Sequence, residues 1–249
     1  MSNTIKIKEQ LLVLSDIHGN LSVIYDYVEK LNLSHTTIIQ VGDFGYGFDD
    51  YVLQLLNDFL KLRNINLIIN RGNHDNYYSH FPKLGKSEFT KKLSNITFLK
   101  DFDILDWCGK KILCIGGAIS LDRVDRTVDV NYWKQEAIAY DKINFFTESN
   151  TFQEYMFNYY TQNVDIVISH TAPMLFHPYL KLSLLDNRYS KDPELEAEIK
   201  NESIFLNKMF TATNPKQYFC GHFHQPVSFK MINTKCRVLS INEMVEVRL

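Results

Sequence analysis

Five short segments gather the side chains with metal-binding or proton-transfer chemistry: Asp16-x-His18, Gly42-Asp43, Gly72-Asn73-His74-Asp75, His170, and Gly221-His222-x-His224. Five of the 8 histidines fall in them; His35, His80 and His177 do not, and read as surface or packing residues. Singly, each segment is ordinary. Gly-Asp is a common turn, Asp-x-His often only bonds backbone, and His-x-His suits a solvated strand edge. Together, Asp16, Asp43 and Asn73 offer oxygens while His18, His170, His222 and His224 offer imidazoles, with no cysteine among them. That mixed hard and borderline set suits manganese, iron or zinc rather than calcium or a structural zinc. Seven candidate ligands exceed what one ion takes, so two ions sharing a carboxylate is the economical count. Two ions about 3.5–4 Å apart clamp the attacking and leaving oxygens of a phosphoryl transfer and lower the pKa of a bound water towards roughly 7.

Each segment follows an apolar run of strand length: "QLLVLSD", "TTIIQVGD", "INLIINRGN", "VDIVISH" and "KQYFC". Between the first three lie stretches with apolar residues at helical spacing. "NLSVIYDYVEKLNL" has Asn20 placed as an N-cap, and "DDYVLQLLNDFLKLRN" opens on acids that suit a helix's positive end. Strand–helix–strand–helix–strand with short connections implies a parallel sheet with right-handed crossovers. In such sheets ligands gather beyond the carboxyl ends of the strands, which is where the polar segments lie. From about Ile96 the run "ITFLKDFDILDWCGKKILCIGG" reads as hairpin-like and antiparallel. A helix is expected near Thr151–Gln162, and another after Asp192 as cap and Pro193 as first helical residue. The C-terminal stretch reads as successive short strands. The expected fold is α/β with α+β character in the second half, two packed sheets with outer helices. It forms a single domain over 1–249, with excursions near 117–150 and 174–203.

Composition narrows the partners. At 249 residues the chain is long enough for a self-sufficient core. Lys+Arg 27 against Asp+Glu 29 gives a net charge of −2, which disfavours a wrapped nucleic acid and leaves a small phosphorylated substrate. The 4 cysteines form no C-x-x-C pair and read as reduced thiols. No signal-peptide h-region or membrane-length apolar run is present, so a cytoplasmic protein without a membrane partner is expected.

In this order, the segments from Asp16 to His224 resemble the calcineurin-like metallophosphoesterase superfamily. The resemblance implies a four-layer αββα sandwich. It implies that Asp16, His18, Asp43 and His224 hold one metal while Asp43, Asn73, His170 and His222 hold the other, with Asp43 bridging. His74 is then no ligand; it protonates the leaving-group oxygen or stabilises charge on the phosphate. "IGGAISLDRVDRTVDVNYWKQE" (115–136) looks like the Gly-Gly-Ala…Ser…Asp…Arg…Trp…Glu element of bacterial and phage-borne members. Within it Arg123 and Arg126 are candidate phosphate binders, by the fit of guanidinium to oxyanion. The alternative pairs them with Asp122, Asp125 or Asp129 on a solvated loop.

One departure bears on substrate. The protein-phosphatase branch carries an Asp-Arg pair soon after Gly-Asp, whereas this chain reads "GDFGYGFDD", with only Asp49 or Asp50 as spatial substitutes. Asp75 receives no catalytic role; capping the following segment or orienting a neighbour are its open alternatives. The expected activity is hydrolysis of a small phosphodiester or nucleotide-type ester by in-line attack of a metal-bridging hydroxide. Two divalent ions serve it, manganese first, with iron, zinc or nickel as alternatives. The competing readings are a protein phosphatase, a nuclease of the same superfamily, or a non-catalytic scaffold. Tyr46, Phe48, Tyr77 and Trp133 are candidate base-stacking residues, though aromatics in such numbers more often fill a core.

Overall fold

A computed structural model describes residues 5–8, 10–45, 49–76, 93–138, 158–178 and 191–248. In chain order its elements are β1 (Ile5–Ile7), β2 (Gln10–Leu14), α1 (Ser22–Lys30), β3 (Thr36–Gln40), α2 (Asp50–Leu62) and β4 (Asn66–Ile69). Then follow β5 (Ile96–Phe98), β6 (Ile104–Trp107), β7 (Lys110–Ile115), β8 (Val164–Ser169), α3 (Leu195–Thr213), β9 (Gln217–Cys220), β10 (Val227–Met231), β11 (Thr234–Val238) and β12 (Met244–Glu246). The strands form a five-stranded sheet, β12-β2-β3-β4-β5, and a seven-stranded sheet, β1-β6-β7-β8-β9-β11-β10.

Both sheets are mixed. In the smaller, β2, β3, β4 and β5 run parallel and β12 is antiparallel to β2. In the larger, β7, β8, β9 and β11 run parallel, with antiparallel pairs β6–β7 and β10–β11. The apolar runs are continuous because both faces of these strands are covered. Side chains alternate between faces, so each strand feeds two cores. Leu11, Val13, Ile39 and Ile68 meet Ile112, Cys114, Ile166, Ile168 and Phe219 in a shared core between the sheets. The alternate residues Leu12, Leu14, Ile38, Leu67 and Ile69 face outward onto Leu53, Leu56 and Leu60 of α2 and Val23, Ile24 and Val28 of α1. Leu113, Ile115, Val167, Tyr218 and Cys220 likewise face Phe205, Leu206, Met209 and Phe210 of α3. The order of layers is helix, sheet, sheet, helix.

Several local expectations are corrected. Asn20 does not cap α1: Leu21 holds the cap position without a side-chain bond, and Asn20 Oδ1 accepts from Ser22 Oγ at 2.7 Å. Asp49 does cap α2, accepting from Tyr51 N at 2.7 Å. β5 is not part of an antiparallel hairpin but joins β4 in parallel; the hairpin is β6–β7 alone. α3 starts at Leu195 with Glu194 at its cap, two residues past Pro193. Most of the helix expected near 151–162 lies outside the described residues. All four cysteines are free, with Cys108 exposed on the β6–β7 turn and Cys114 buried. No helix among the described residues is long and apolar enough to cross a membrane.

Candidate metal centre

Every candidate ligand leaves the carboxyl end of a strand. Asp16 and His18 follow β2, Asp43 follows β3, and Asn73 and His74 follow β4, all from the smaller sheet; His170 follows β8, and His222 and His224 follow β9 of the larger. Packing of the sheets through the shared core sets these edges side by side. The loops depart from ordinary backbone geometry where they carry ligands: His18, Asp43, His222 and His224 have φ of 45°, 57°, 68° and 54°. The left-handed conformation costs a non-glycine residue about 1–2 kcal/mol, which the bonds around these four residues offset. Ile17 N and His18 N both donate to Asp43 O, at 3.1 and 2.9 Å, and His222 N donates to Asp16 Oδ1 at 2.8 Å. Two glycines permit the close approach. A Cβ on Gly42, whose φ is +126°, would collide with the His170 ring, and one on Gly221 would collide with the Asp16 carboxylate.

Two clusters result, sharing one carboxylate. Asp16, His18, Asp43 and His224 offer atoms that all lie within 4.8 Å of one another, and so do Asp43, His170 and His222. Asn73 joins the second cluster, its Oδ1 lying 3.0 Å from both His170 Nε2 and His222 Nδ1. In the first, His18 Nε2 and His224 Nε2 face each other at 3.0 Å, with Asp43 Oδ2 3.8 Å from His18. In the second, His170 Nε2 is 3.2 Å from Asp43 Oδ1. Asp16, Asp43, Asn73 and His170 are buried, while His18 and His224 keep 24% and 42% of their side chains exposed, which puts the mouth of the site on their side.

The electrostatics fit a cation. Burial raises Asp16, and burial alone would raise Asp43, but His170, His74 and His18 together carry Asp43 below the usual carboxylate range. Burial pushes His170 down, yet Asp43, Asp16 and Asp75 override it and lift His170 to about 9, so this pocket draws positive charge. Burial lowers His18 and His222, which keeps their imidazoles in the neutral form that ligates metal. His170 Nδ1 is buried without a hydrogen-bond partner among the described residues. Imidazoles converging with carboxylate and amide oxygens are a donor set for a divalent transition metal, which would take the place of the proton on His170.

His74 stands beside the clusters. Its N–H donates to Asp43 Oδ1 at 2.9 Å, while its ring Nε2 is 4.0 Å from Asp43 Oδ2. Burial lowers it to about 4, with Arg126 contributing in the same direction. Arg126 Nη2 lies 3.0 Å from His74 Nε2 and is held by Asp122 at 2.8 Å. Arg123, three residues away, goes elsewhere: it pairs with Asp192 at 2.5 Å and with Glu198. For Arg123 the carboxylate-pair alternative describes the structure, with partners on and before α3 instead of the neighbouring aspartates. Trp133 is buried and donates from Nε1 to His74 O at 3.4 Å, so it supports the loop and is not a stacking platform. Tyr46, Phe48, Tyr77 and His80 lie outside the described residues.

Sequence reading missed the groups that hold the loops. Asp75, buried, accepts from Gly72 N at 2.6 Å, Gly45 N at 2.7 Å and Asp43 N at 3.0 Å, tying the β3 and β4 loops together. Burial and the neighbouring Asp43 raise it to about 7. Arg71, 2% exposed, donates to the main-chain oxygens of Gln135, Glu136 and Ala137 at 2.8, 2.8 and 3.1 Å and pairs with Asp101. Ser120 bonds Glu136 through both N and Oγ, and its Oγ accepts from Asn73 Nδ2. The Ser and Glu of the 115–136 element were visible in the sequence, but nothing there assigned them a task.

A sequence model of the calcineurin-like phosphoesterase family matches residues 10–226. No curated protein sequence matches the chain. Among solved structures, the phosphopantetheinyl hydrolase of Mycobacterium tuberculosis is similar at 14% identity and TM-score 0.52, over 94% of this chain and 90% of that one. A Staphylococcus aureus protein assigned as a 5′-nucleotidase is similar at 13% identity and TM-score 0.48, over 95% of this chain and 50% of that one. At 14% identity the likeness to the hydrolase shows the fold alone.

Proposed function

The chain belongs to the calcineurin-like phosphoesterase family and is a metal-dependent phosphoesterase, and on that premise we propose that it hydrolyses a small phosphodiester or nucleotide-type ester at a centre of two divalent cations. The observation that carries this reading is the sharing of Asp43 between two clusters of ligating atoms. Asp16, His18, Asp43 and His224 would hold one ion, and Asp43, Asn73, His170 and His222 the other; the mixed oxygen and imidazole set suits manganese first. Bound there, the ions would supply an activated water and neutralise charge on the phosphoryl oxygens.

The protein's own groups do the rest. Asp75 and Gly42 keep the β3 and β4 loops in contact, so that Asp43 faces both clusters. His74 is assigned to the leaving-group oxygen. Burial makes its imidazole neutral in the free protein, and a phosphate's negative charge beside it works in the opposite direction. Arg126, sharing the space beside the His74 ring, is assigned to the non-bridging phosphate oxygens. Asp49 caps α2, and the Asp-Arg pair of the protein-phosphatase branch does not follow Gly42-Asp43 in the sequence. That supports the small-ester reading.

The test is a panel of aryl phosphomonoesters, aryl phosphodiesters and nucleotide esters assayed with Mn²⁺. The diester or nucleotide rate should lead. Asp43→Asn and His74→Ala should each lower kcat/KM by at least about 100-fold, as expected for groups acting on the reacting phosphate, with circular dichroism unchanged. Undiminished activity in both variants would overturn the assignment.

A further inference from the structure

Asn73 serves a cation only if its amide presents oxygen, not nitrogen, to His170 and His222. The two ends of a carboxamide are nearly the same size, so packing alone does not choose between them. A hydrogen-bond chain behind the residue does. Asn73 Nδ2 donates to Ser120 Oγ at 2.8 Å, Ser120 Oγ donates to Glu136 Oε2 at 2.6 Å, and Ser120 N donates to Glu136 Oε1 at 2.6 Å. All three residues are buried, at 2%, 1% and 2% exposure, so no solvent competes for these bonds.

We propose that Ser120 and Glu136 are positioning residues that fix the Asn73 amide with its oxygen towards His170 and His222. The polarity of the chain starts at Glu136. One carboxylate oxygen takes the Ser120 N–H and the other takes the hydroxyl proton, which leaves only lone pairs on Oγ to meet Asn73. A lone pair there demands the NH2 group, and the oxygen turns to the histidines. Burial raises the Glu136 carboxyl to about 8, the two Ser120 bonds work in the opposite direction, and positive charge bound beside Asn73 favours the ionised form further. The anchor is local: Arg71, two residues before Asn73, grips the carbonyls of Gln135, Glu136 and Ala137, and Gly117 N donates back to Arg71 O at 2.7 Å. The loop that presents Asn73 and the segment that orients it are therefore fixed to one another.

This inference rests on Asn73 belonging to the metal centre, and its test reads metal binding, not turnover. The metal-free protein is titrated with Mn²⁺, by calorimetry and by electron paramagnetic resonance. Ser120→Ala should weaken one ion by roughly 10–100-fold, the usual cost of losing a group that orients a ligand, and leave the other unchanged. Glu136→Gln keeps the shape but reverses the chain. Its NH2 donates to Ser120 Oγ, the hydroxyl then donates to the Asn73 oxygen, and nitrogen faces the histidines, so the same ion should weaken. In an Asn73→Asp background either end of the side chain is oxygen, and adding Ser120→Ala should cost less than about threefold; a merely structural role would cost the same in both backgrounds.

Unchanged affinities in Ser120→Ala and Glu136→Gln overturn the inference, as does an equal loss in both backgrounds. Wild-type protein that takes up one ion counts against the two-ion reading alone, and the same comparison on that ion still decides this inference. Protein that takes up none overturns both.

Discussion

His177 makes the protein acid-sensitive beside the metal loops. It lies seven residues after His170 and packs its ring against Phe223, centroids 5.0 Å apart, between the candidate ligands His222 and His224. It is 3% exposed, and burial lowers its pKa from 6.5 to about 4. The folded value lies below the unfolded one, so between these limits the unfolded chain binds more protons. The neutral ring's contribution is fully present above about pH 6.5 and is lost as pH falls towards 4. Across that window the loss is about 3 kcal/mol; by pH 5 it is about 2 kcal/mol, while at pH 7.5 it is negligible. His177→Gln removes the titration and keeps a polar side chain. Urea unfolding of both proteins in excess chelator, at pH 7.5 and 5.0, gives the difference in stability at each pH. Any packing cost of glutamine appears at both and cancels. Wild type should lose about 2 kcal/mol more than the variant on going to pH 5. A stability gap that stays constant to within about 0.5 kcal/mol, near the precision of such unfolding curves, refutes the reasoning.

The two arginines should separate. Arg126→Ala should lower kcat/KM by at least about tenfold, or 1.4 kcal/mol, because its guanidinium faces the His74 ring. Arg123→Ala should instead lower unfolding stability by about 1–2 kcal/mol through its bonds to Asp192 and Glu198, with the smaller kinetic effect of the two. Steady-state kinetics with thermal melts check the ranking, and a reversed order counts against the placement of both. Gly42→Ala should abolish uptake of one ion and lower Tm, since its Cβ meets the His170 ring at a φ that alanine rarely adopts; full metal content by elemental analysis counts against this.

Which candidate ligands sit at the strand ends was legible from the chain, because metal ligation restricts residue type and strand periodicity says where a chain leaves a sheet. "QLLVLSD", "TTIIQVGD" and "INLIINRGN" each place an apolar run directly before Asp16, Asp43 or Asn73. The parallel order of β2, β3 and β4 then follows from the intervening helical stretches, and the structure has it. The direction of β5 was not legible, since a strand of three residues carries no sign of which neighbour it joins. Nor was the return of β12 to the first sheet, which depends on an edge that β2 leaves open.

At the site the same division holds. Arg123 and Arg126 look equivalent in sequence, but the tight turn over Arg123–Asp125 sends one to Asp192 on the approach to α3 and the other to His74. For Asp75 the sequence leaves capping and orienting open; in the fold its carboxylate gathers three backbone N–H groups from two loops. Ser120 and Glu136 lie 47 and 63 residues from Asn73, and nothing local relates them. The sequence by itself determined the chemical types of the candidate ligands and the strand ends that carry them. Only the tertiary structure decided which atoms converge, because hydrogen-bond partners far apart in the chain meet through the packing of two sheets, and a linear pattern does not encode that distance.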